Sequence, residues 1–221
     1  MATVLVIGAS RGIGQGLVQA CLERGDRVIA TARQAADVQA LRAQGAHAFA
    51  LDVAQPASVS GLAWRLDGES IDQAWYVAGV WDEGAADTPP TQERFDYVMH
   101  TNVLGVMQVL PQVMPCVEQA QGQMICISSM MSRWSLAQSR AWLYRTSKAA
   151  LNMAVACAQQ QWPRTHVVAM DPGWVATEMG GEGAAISVQE CVSGMLQTVE
   201  QLTVQDRGQL LRYDGMRLPQ G

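Results

Sequence analysis

This 221-residue sequence predicts a doubly wound α/β domain, a mostly parallel sheet of about seven strands with helices on both faces. Three observations carry that prediction. Apolar strand-length runs alternate with helical patterns along the whole chain. The first run, Thr3-Val4-Leu5-Val6-Ile7, leads into Gly8-Ala9-Ser10-Arg11-Gly12-Ile13-Gly14 and then a helix. Tyr144 and Lys148 stand four residues apart in a later helical stretch, so phenol and ammonium share one face.

The strands are expected near 3–7, 27–32, 47–51, 71–77, 123–128, 165–170 and 208–213. Helices are expected near 13–24, 35–43, 56–66, 91–119, 141–161 and 187–201. Pro111 and Pro115 fall inside the fourth helix and are expected to bend or end it. The Gly- and Ala-rich stretch from Ala176 to Ile186 follows a strand end and is the candidate lid. No repeat, low-complexity segment or linker divides the chain, so one domain over 1–221 is expected.

Strand, glycine-rich turn and helix is the context of a dinucleotide-binding loop. Gly8 permits the tight turn, Gly12 lets backbone approach a pyrophosphate, and Gly14 allows close packing of helix on strand. Free amides at the helix start would face the phosphates. The spacing is G-x-x-x-G-x-G rather than G-x-G-x-x-G. A cation beside Tyr144 is expected to lower its pKa, as a proton donor to a carbonyl oxygen requires.

Together these motifs resemble the short-chain dehydrogenase/reductase family, over nearly the whole chain. Leu51-Asp52-Val53, Ala78-Gly79, Asn102 in Thr101-Asn102-Val103-Leu104-Gly105, Ile127-Ser128-Ser129 and Pro172-Gly173-Trp174-Val175-Ala176-Thr177 follow in the family's order. Tyr144-Arg145-Thr146-Ser147-Lys148, Met179-Gly180-Gly181 and Tyr213-Asp214-Gly215 resemble the C-factor-like subgroup. The resemblance implies a Rossmann-like fold and an oxidoreductase that moves a hydride between nicotinamide and a carbonyl or alcohol. Its implied catalytic set is Asn102, Ser129, Tyr144 and Lys148, with Tyr144 as acid/base, Ser129 holding the substrate oxygen and Asn102 fixing a water behind Lys148. Ser128 or Ser132 remains an alternative to Ser129, because the stretch from Ser129 to Tyr144 is slightly long for the family. Asn102 as a helix-kink residue bonded to local backbone is the competing reading.

The implied cofactor-binding residues are Gly8, Ser10, Arg11, Gly12, Ile13, Gly14, Arg33, Asp52, Val53, Ala78, Gly79, Asn102, Tyr144, Lys148, Pro172, Gly173, Val175 and Thr177. NADP is expected ahead of NAD. By alignment to the family, Ala32 stands where an acid would bind the ribose of NAD, and Arg33 and Arg11 supply guanidiniums for a 2′-phosphate. Trp81, Met130, Met131, Trp134 and Trp142 flank the family's substrate-loop positions and are candidates for an apolar pocket, and Trp174 for a wall.

The chain departs from the family in two adjacent segments. Ile7 replaces the usual Thr, and Tyr76-Val77-Ala78-Gly79 replaces Asn-Asn-Ala-Gly. Both partners of a hydrogen-bonded pair are changed, so a repacked but intact cofactor floor is expected, and Ile7→Thr alone should not stabilise.

Composition narrows the partners. Net charge is −5 with no basic cluster, which argues against nucleic acid. No apolar run reaches membrane-spanning length and no signal peptide is visible. Five scattered cysteines without a C-x-x-C pair read as reduced thiols of a cytoplasmic protein, and His47, His100 and His166 show no metal spacing. A small-molecule substrate is expected. A homodimer or homotetramer through helices 91–119 and 141–161 is expected too, using Ala149, Leu151, Met153, Ala154, Val155 and Cys157. The alternative function is an NADP-binding signalling or regulatory protein with little turnover.

Overall fold

The computed structural model describes residues 1–181 and 183–219. Its sheet has eight strands in the order β3-β2-β1-β4-β5-β6-β7-β8. These are β1 Thr3–Ile7, β2 Arg27–Ala32, β3 His47–Ala50, β4 Gln73–Tyr76, β5 Gln123–Ile127, β6 His166–Asp171, β7 Leu210–Arg212 and β8 Arg217–Leu218. All neighbours are parallel except β7 and β8. The chain reverses its direction of growth between β1 and β4, which opens a crevice at the carboxyl ends of those strands.

The helices are α1 Gly12–Glu23, α2 Ala35–Ala43, α3 Pro56–Val59, α4 Leu62–Arg65, α5 Gln92–Met99, α6 Gly105–Gln119, α7 Trp142–Gln161 and α8 Val188–Glu200. They divide over the two faces of the sheet. Alternate residues of one strand serve different cores: Leu5 and Ile7 pack with Val106, Val113, Leu151 and Val155 of α6 and α7. Val4 and Val6 pack with Leu17, Val38, Cys191 and Met195 of α1, α2 and α8. Strands buried on both faces read as continuous apolar runs, which is why β1, β5 and β6 were legible.

Four differences from expectation have physical reasons. The eighth strand is a two-residue antiparallel return, too short to carry a pattern. The expected helix 56–66 is interrupted at Ser60-Gly61. The expected helix 91–119 contains a π turn at His100–Leu104. Helix α6 runs through both Pro111 and Pro115 to Gln119, so neither ends it. Both prolines sit on its exposed face, where packing of the opposite face against the sheet sustains the helix.

Of the six residues expected at a subunit interface, Leu151, Ala154 and Val155 are buried within the chain, and Ala149, Met153 and Cys157 are exposed. No described helix is long and apolar enough to cross a membrane, and no group of metal-ligating side chains is found among the described residues.

Candidate active site

A cleft of about 920 Å³ lies across the carboxyl ends of the central strands. It is lined by Gly8, Ser10, Arg11, Gly12 and Ile13 from the first turn, Arg33 after β2, and Asp52 and Val53 after β3. Ala78 and Gly79 after β4, Tyr144 and Lys148 of α7, and Pro172 and Thr177 after β6 complete it. These fourteen expected residues, distant in sequence, therefore share one surface. Gly14, Asn102, Ser129, Gly173 and Val175 lie outside the lining.

The glycine turn is built for close approach. Gly8 has φ +90°, and a Cβ there would stand 2.6 Å from the Ala78 amide nitrogen. A Cβ on Gly14 would meet the Gly8 carbonyl oxygen at 2.1 Å, so α1 packs onto the turn only with glycine there. The α1 N-cap, Arg11, supplies no side-chain hydrogen bond to the first-turn amides, which leaves helix-start donors facing the cleft.

Tyr144 and Lys148 share the face of α7 that meets β5. Both are almost fully buried, at 6% and 3% exposure. Nζ of Lys148 donates to the Ile127 carbonyl oxygen at 2.8 Å and stands 5.8 Å from the centre of the Tyr144 ring. Burial pushes the Tyr144 phenol up to about 12 against the easing influence of the Ser129 hydroxyl, and the Asp171 charge adds to the rise. Burial also brings Lys148 down to about 8. The expectation that Lys148 lowers the Tyr144 pKa is therefore corrected: desolvation outweighs the pair in this geometry. The phenol is protonated at neutral pH, the form that donates a proton.

Asn102 occupies the π turn, fully buried. Its Oδ1 accepts from the Val80 amide at 2.9 Å, and its Nδ2 donates to the Val80 carbonyl at 3.0 Å and to Ser147 Oγ at 3.0 Å. One side chain thus ties the segment after β4 to α7, one residue before Lys148. These bonds match the helix-kink reading in part, with the difference that the bonded backbone is distant in sequence.

The three serines after β5 separate cleanly. Ser128 Oγ donates to Asn152 Oδ1 at 2.5 Å, and Asn152 Nδ2 donates to Ser132 Oγ at 2.8 Å. Ser132 Oγ donates onward to the Ser129 carbonyl at 2.6 Å. Ser128 and Ser132 are thus committed to a buried scaffold, while the Ser129 hydroxyl faces Tyr144 and caps the turn through Met131 N–H at 3.1 Å. Asn152, on α7 two turns beyond Tyr144 at helical spacing, was not anticipated from the sequence.

Ile7 and Tyr76 are register partners on β1 and β4, both fully buried. The Tyr76 hydroxyl donates to the Thr101 carbonyl at 2.8 Å in the π turn. A Cβ on Gly105 would lie 2.4 Å from that hydroxyl, so Gly105 makes its room. The floor is repacked as expected, through a new polar tie rather than a wholly apolar one.

Two expectations about the rim change. Arg11 is ion-paired with Glu178 of the loop after β6, so one of the two expected guanidiniums is engaged by a carboxylate from far along the chain. Both side chains are largely exposed, and such a pair contributes little stability. The proposed aromatic pocket is also looser than expected, since none of Trp81, Met130, Met131, Trp134 and Trp142 lines the cleft. Trp134 and Met130 are exposed. Trp81 packs on Tyr144, with ring centres 4.6 Å apart. Arg94 holds it there, donating to the Trp81 carbonyl at 2.6 Å and pairing with buried Asp82 at 2.6 Å. Trp174 folds onto its own loop, its Nε1 donating to the Gly180 carbonyl at 2.7 Å. The candidate lid is closed at its base by the Val175–Ile186 bridge, and its Glu182 lies outside the described residues.

A family model described as short chain dehydrogenase matches residues 2–185. The chain is 30% identical to the 1-hydroxy-2-glutathionyl-2-methyl-3-butene dehydrogenase of Rhodococcus sp., over 97% of this chain and 98% of that one. It is 36% identical to the C-signal protein of Myxococcus xanthus, over 65% of this chain and 87% of that one. Among solved structures, the NADPH-bound carbonyl reductase from chicken fatty liver superposes with a TM-score of 0.86. It is 29% identical, and 99% of this chain and 98% of that one are covered.

Proposed function

Because the chain belongs to the short-chain dehydrogenase family, we propose that this oxidoreductase is an NADP-dependent carbonyl reductase with Tyr144 as its proton donor. The observation that carries the reading is the placing of a protonated, buried Tyr144, with the Ser129 hydroxyl beside it, at one end of a cleft that starts in a glycine cradle. The residues fit a dinucleotide. Side chains at Gly8 or Gly14 would collide with backbone, and the α1 amides are turned to the same opening. Arg33 and Ala32 line the far end, and β2 itself ends without a carboxylate, with Asp37 of the first turn of α2 on the same lining. The NADPH in the chicken carbonyl reductase structure supports the same cofactor.

A bound nicotinamide supplies the hydride. The chain's own part is acid catalysis and positioning. Ser129 Oγ holds the substrate carbonyl oxygen by a hydrogen bond, and Tyr144 Oη passes its proton to that oxygen as the carbon accepts the hydride. Lys148, low in pKa and bonded to the Ile127 carbonyl, is placed to return a proton to Tyr144 along the buried face of α7. Asn102 fixes the backbone beside Lys148 from the π turn.

Tyr144→Phe tests this. Turnover of NADPH with a reporter carbonyl such as 4-nitrobenzaldehyde should fall by about 10²–10⁴-fold, the usual worth of a positioned acid, while NADPH still binds. Undiminished turnover would sink the assignment. The similarity to C-signal favours a second reading, a signalling protein that binds the nucleotide with little turnover. A biological output that survives Tyr144→Phe would favour it.

A further inference from the structure

Asp171 ends β6, one residue before the Pro172 that lines the cleft, and it is 2% exposed. Its Oδ1 accepts from the Met130 amide at 2.9 Å, in the turn that carries Ser129. The Gly173 amide also faces the carboxylate. Its Oδ2 is buried and has no partner among the described residues. Such an oxygen is costly, and native proteins rarely keep one without use. An asparagine would keep the acceptor that Met130 needs and remove the stranded charge, so the turn alone does not explain the acid.

The groups around the carboxylate come from four elements. Arg212 of β7 favours its charge, and Asp214 beyond β7 opposes it. Cys191 of α8 and Tyr144 of α7 both feel it as a negative neighbour. Burial draws Asp171 toward the neutral acid, against the two amides and Arg212.

Its position decides what such a charge does. Hydride transfer requires the nicotinamide ring beside the carbonyl that Tyr144 protonates. That places the ring at the end of the cleft bounded by Ile127, Ser128, Tyr144, Lys148 and Pro172. The ring is neutral before it gives up hydride and positively charged afterwards. A buried negative charge at that end favours the positive ring. That influence favours hydride leaving the cofactor, which is the direction of carbonyl reduction, while the same charge opposes proton loss from the phenol, a separate step.

We propose that Asp171 is an electrostatic positioning residue that biases the cofactor toward giving up hydride, by favouring the oxidised nicotinamide from behind the Ser129 and Pro172 turns. The proposal rests on the NADP reading above and adds the direction of the reaction to it.

The test needs no substrate. Wild type and Asp171→Asn are titrated with NADP+ and with NADPH by calorimetry. The substitution should weaken NADP+ on the order of tenfold and leave NADPH within about twofold. A purely structural role would move both forms alike, and that result overturns the proposal, as does no change in either. Asp171→Ser, smaller and also uncharged, must give the same selective loss and serves if Asp171→Asn does not fold. A wild type that binds neither form refutes the NADP reading and this inference with it. A wild type that binds NADPH, beside variants that lose both forms equally, refutes the inference alone.

Discussion

Asn152→Ala should loosen the turn that presents Ser129, and the cost follows from the bonds it removes. Asn152 is 3% exposed and Ser128 1%. The substitution strands the Ser128 hydroxyl, whose bond to Asn152 Oδ1 is 2.5 Å, and removes the donor to Ser132 at 2.8 Å. Ser132 keeps its own donation to the Ser129 carbonyl. One stranded buried hydroxyl costs about 1–3 kcal/mol, and the small void left beneath it adds about 1 kcal/mol. The total is about 2–4 kcal/mol, and at about 2–4 °C per kcal/mol for a domain of this size the melting temperature should fall by about 5–15 °C. Thermal melts followed by far-ultraviolet circular dichroism read the shift. The decisive variant is the double change with Ser128→Ala, which removes both ends of one bond. It should be less destabilised than the sum of the singles by about 1 kcal/mol. Singles that add within about 0.3 kcal/mol, or an Asn152→Ala melt at the wild-type temperature, would show that the two side chains do not share a buried bond.

Two further changes test other parts of the site. Lys148 is protonated at pH 9 when unfolded and largely neutral when folded, because burial brings it to about 8. The unfolded chain therefore binds more protons between about pH 8 and the free-lysine value, and stability rises with pH across that window. The melting temperature of wild type relative to Lys148→Met should climb from pH 8 to pH 10, and a flat difference would contradict the buried, low-pKa lysine. Gly105→Ala places a Cβ where the Tyr76 hydroxyl lies, 2.4 Å away, and should cost about 1–3 kcal/mol in urea unfolding. Adding Tyr76→Phe should recover part of the loss, since the Val53 carbonyl at 2.9 Å still crowds the new methyl; no recovery would remove Tyr76 as the occupant of that space.

Much of the site was legible because its signals are local. The glycine turn is contiguous, and Tyr144 and Lys148 are one helical turn apart, so spacing alone put them on one face. The buried strands were legible as apolar runs, and their order along the chain carried the topology. What escaped depends on contacts between distant segments. Glu178 meets Arg11 across 167 residues, and Met130 meets Asp171 across 41. No local pattern distinguishes Asp171 or Asn152 from an ordinary polar residue near a strand end or on a helix. The π turn at Asn102 has no composition signal of its own. The β7–β8 return did have one: the Asp214-Gly215 dipeptide lies between Arg212 and Arg217, and a Gly at φ +87° is what that turn uses.

Spacing that placed Tyr144 and Lys148 together also suggested the wrong sign for the phenol, and the reason is general to this pocket. A shared helix face fixes direction, not distance or dielectric. The ammonium is held 5.8 Å from the ring centre by the Ile127 carbonyl, whereas Trp81 covers the phenol and the sheet closes behind it. Desolvation then acts on both groups at once, and it drives each toward its neutral form: the phenol upward, the amine downward. Asp171, 27 residues beyond Tyr144 in sequence, adds a negative charge where a cation was expected to dominate. A buried phenol beside a lysine of lowered pKa, with Asp171 behind them, holds its proton more tightly than their shared helix face suggested. Spacing along α7 shows which residues meet, and the folded surroundings set their acidities.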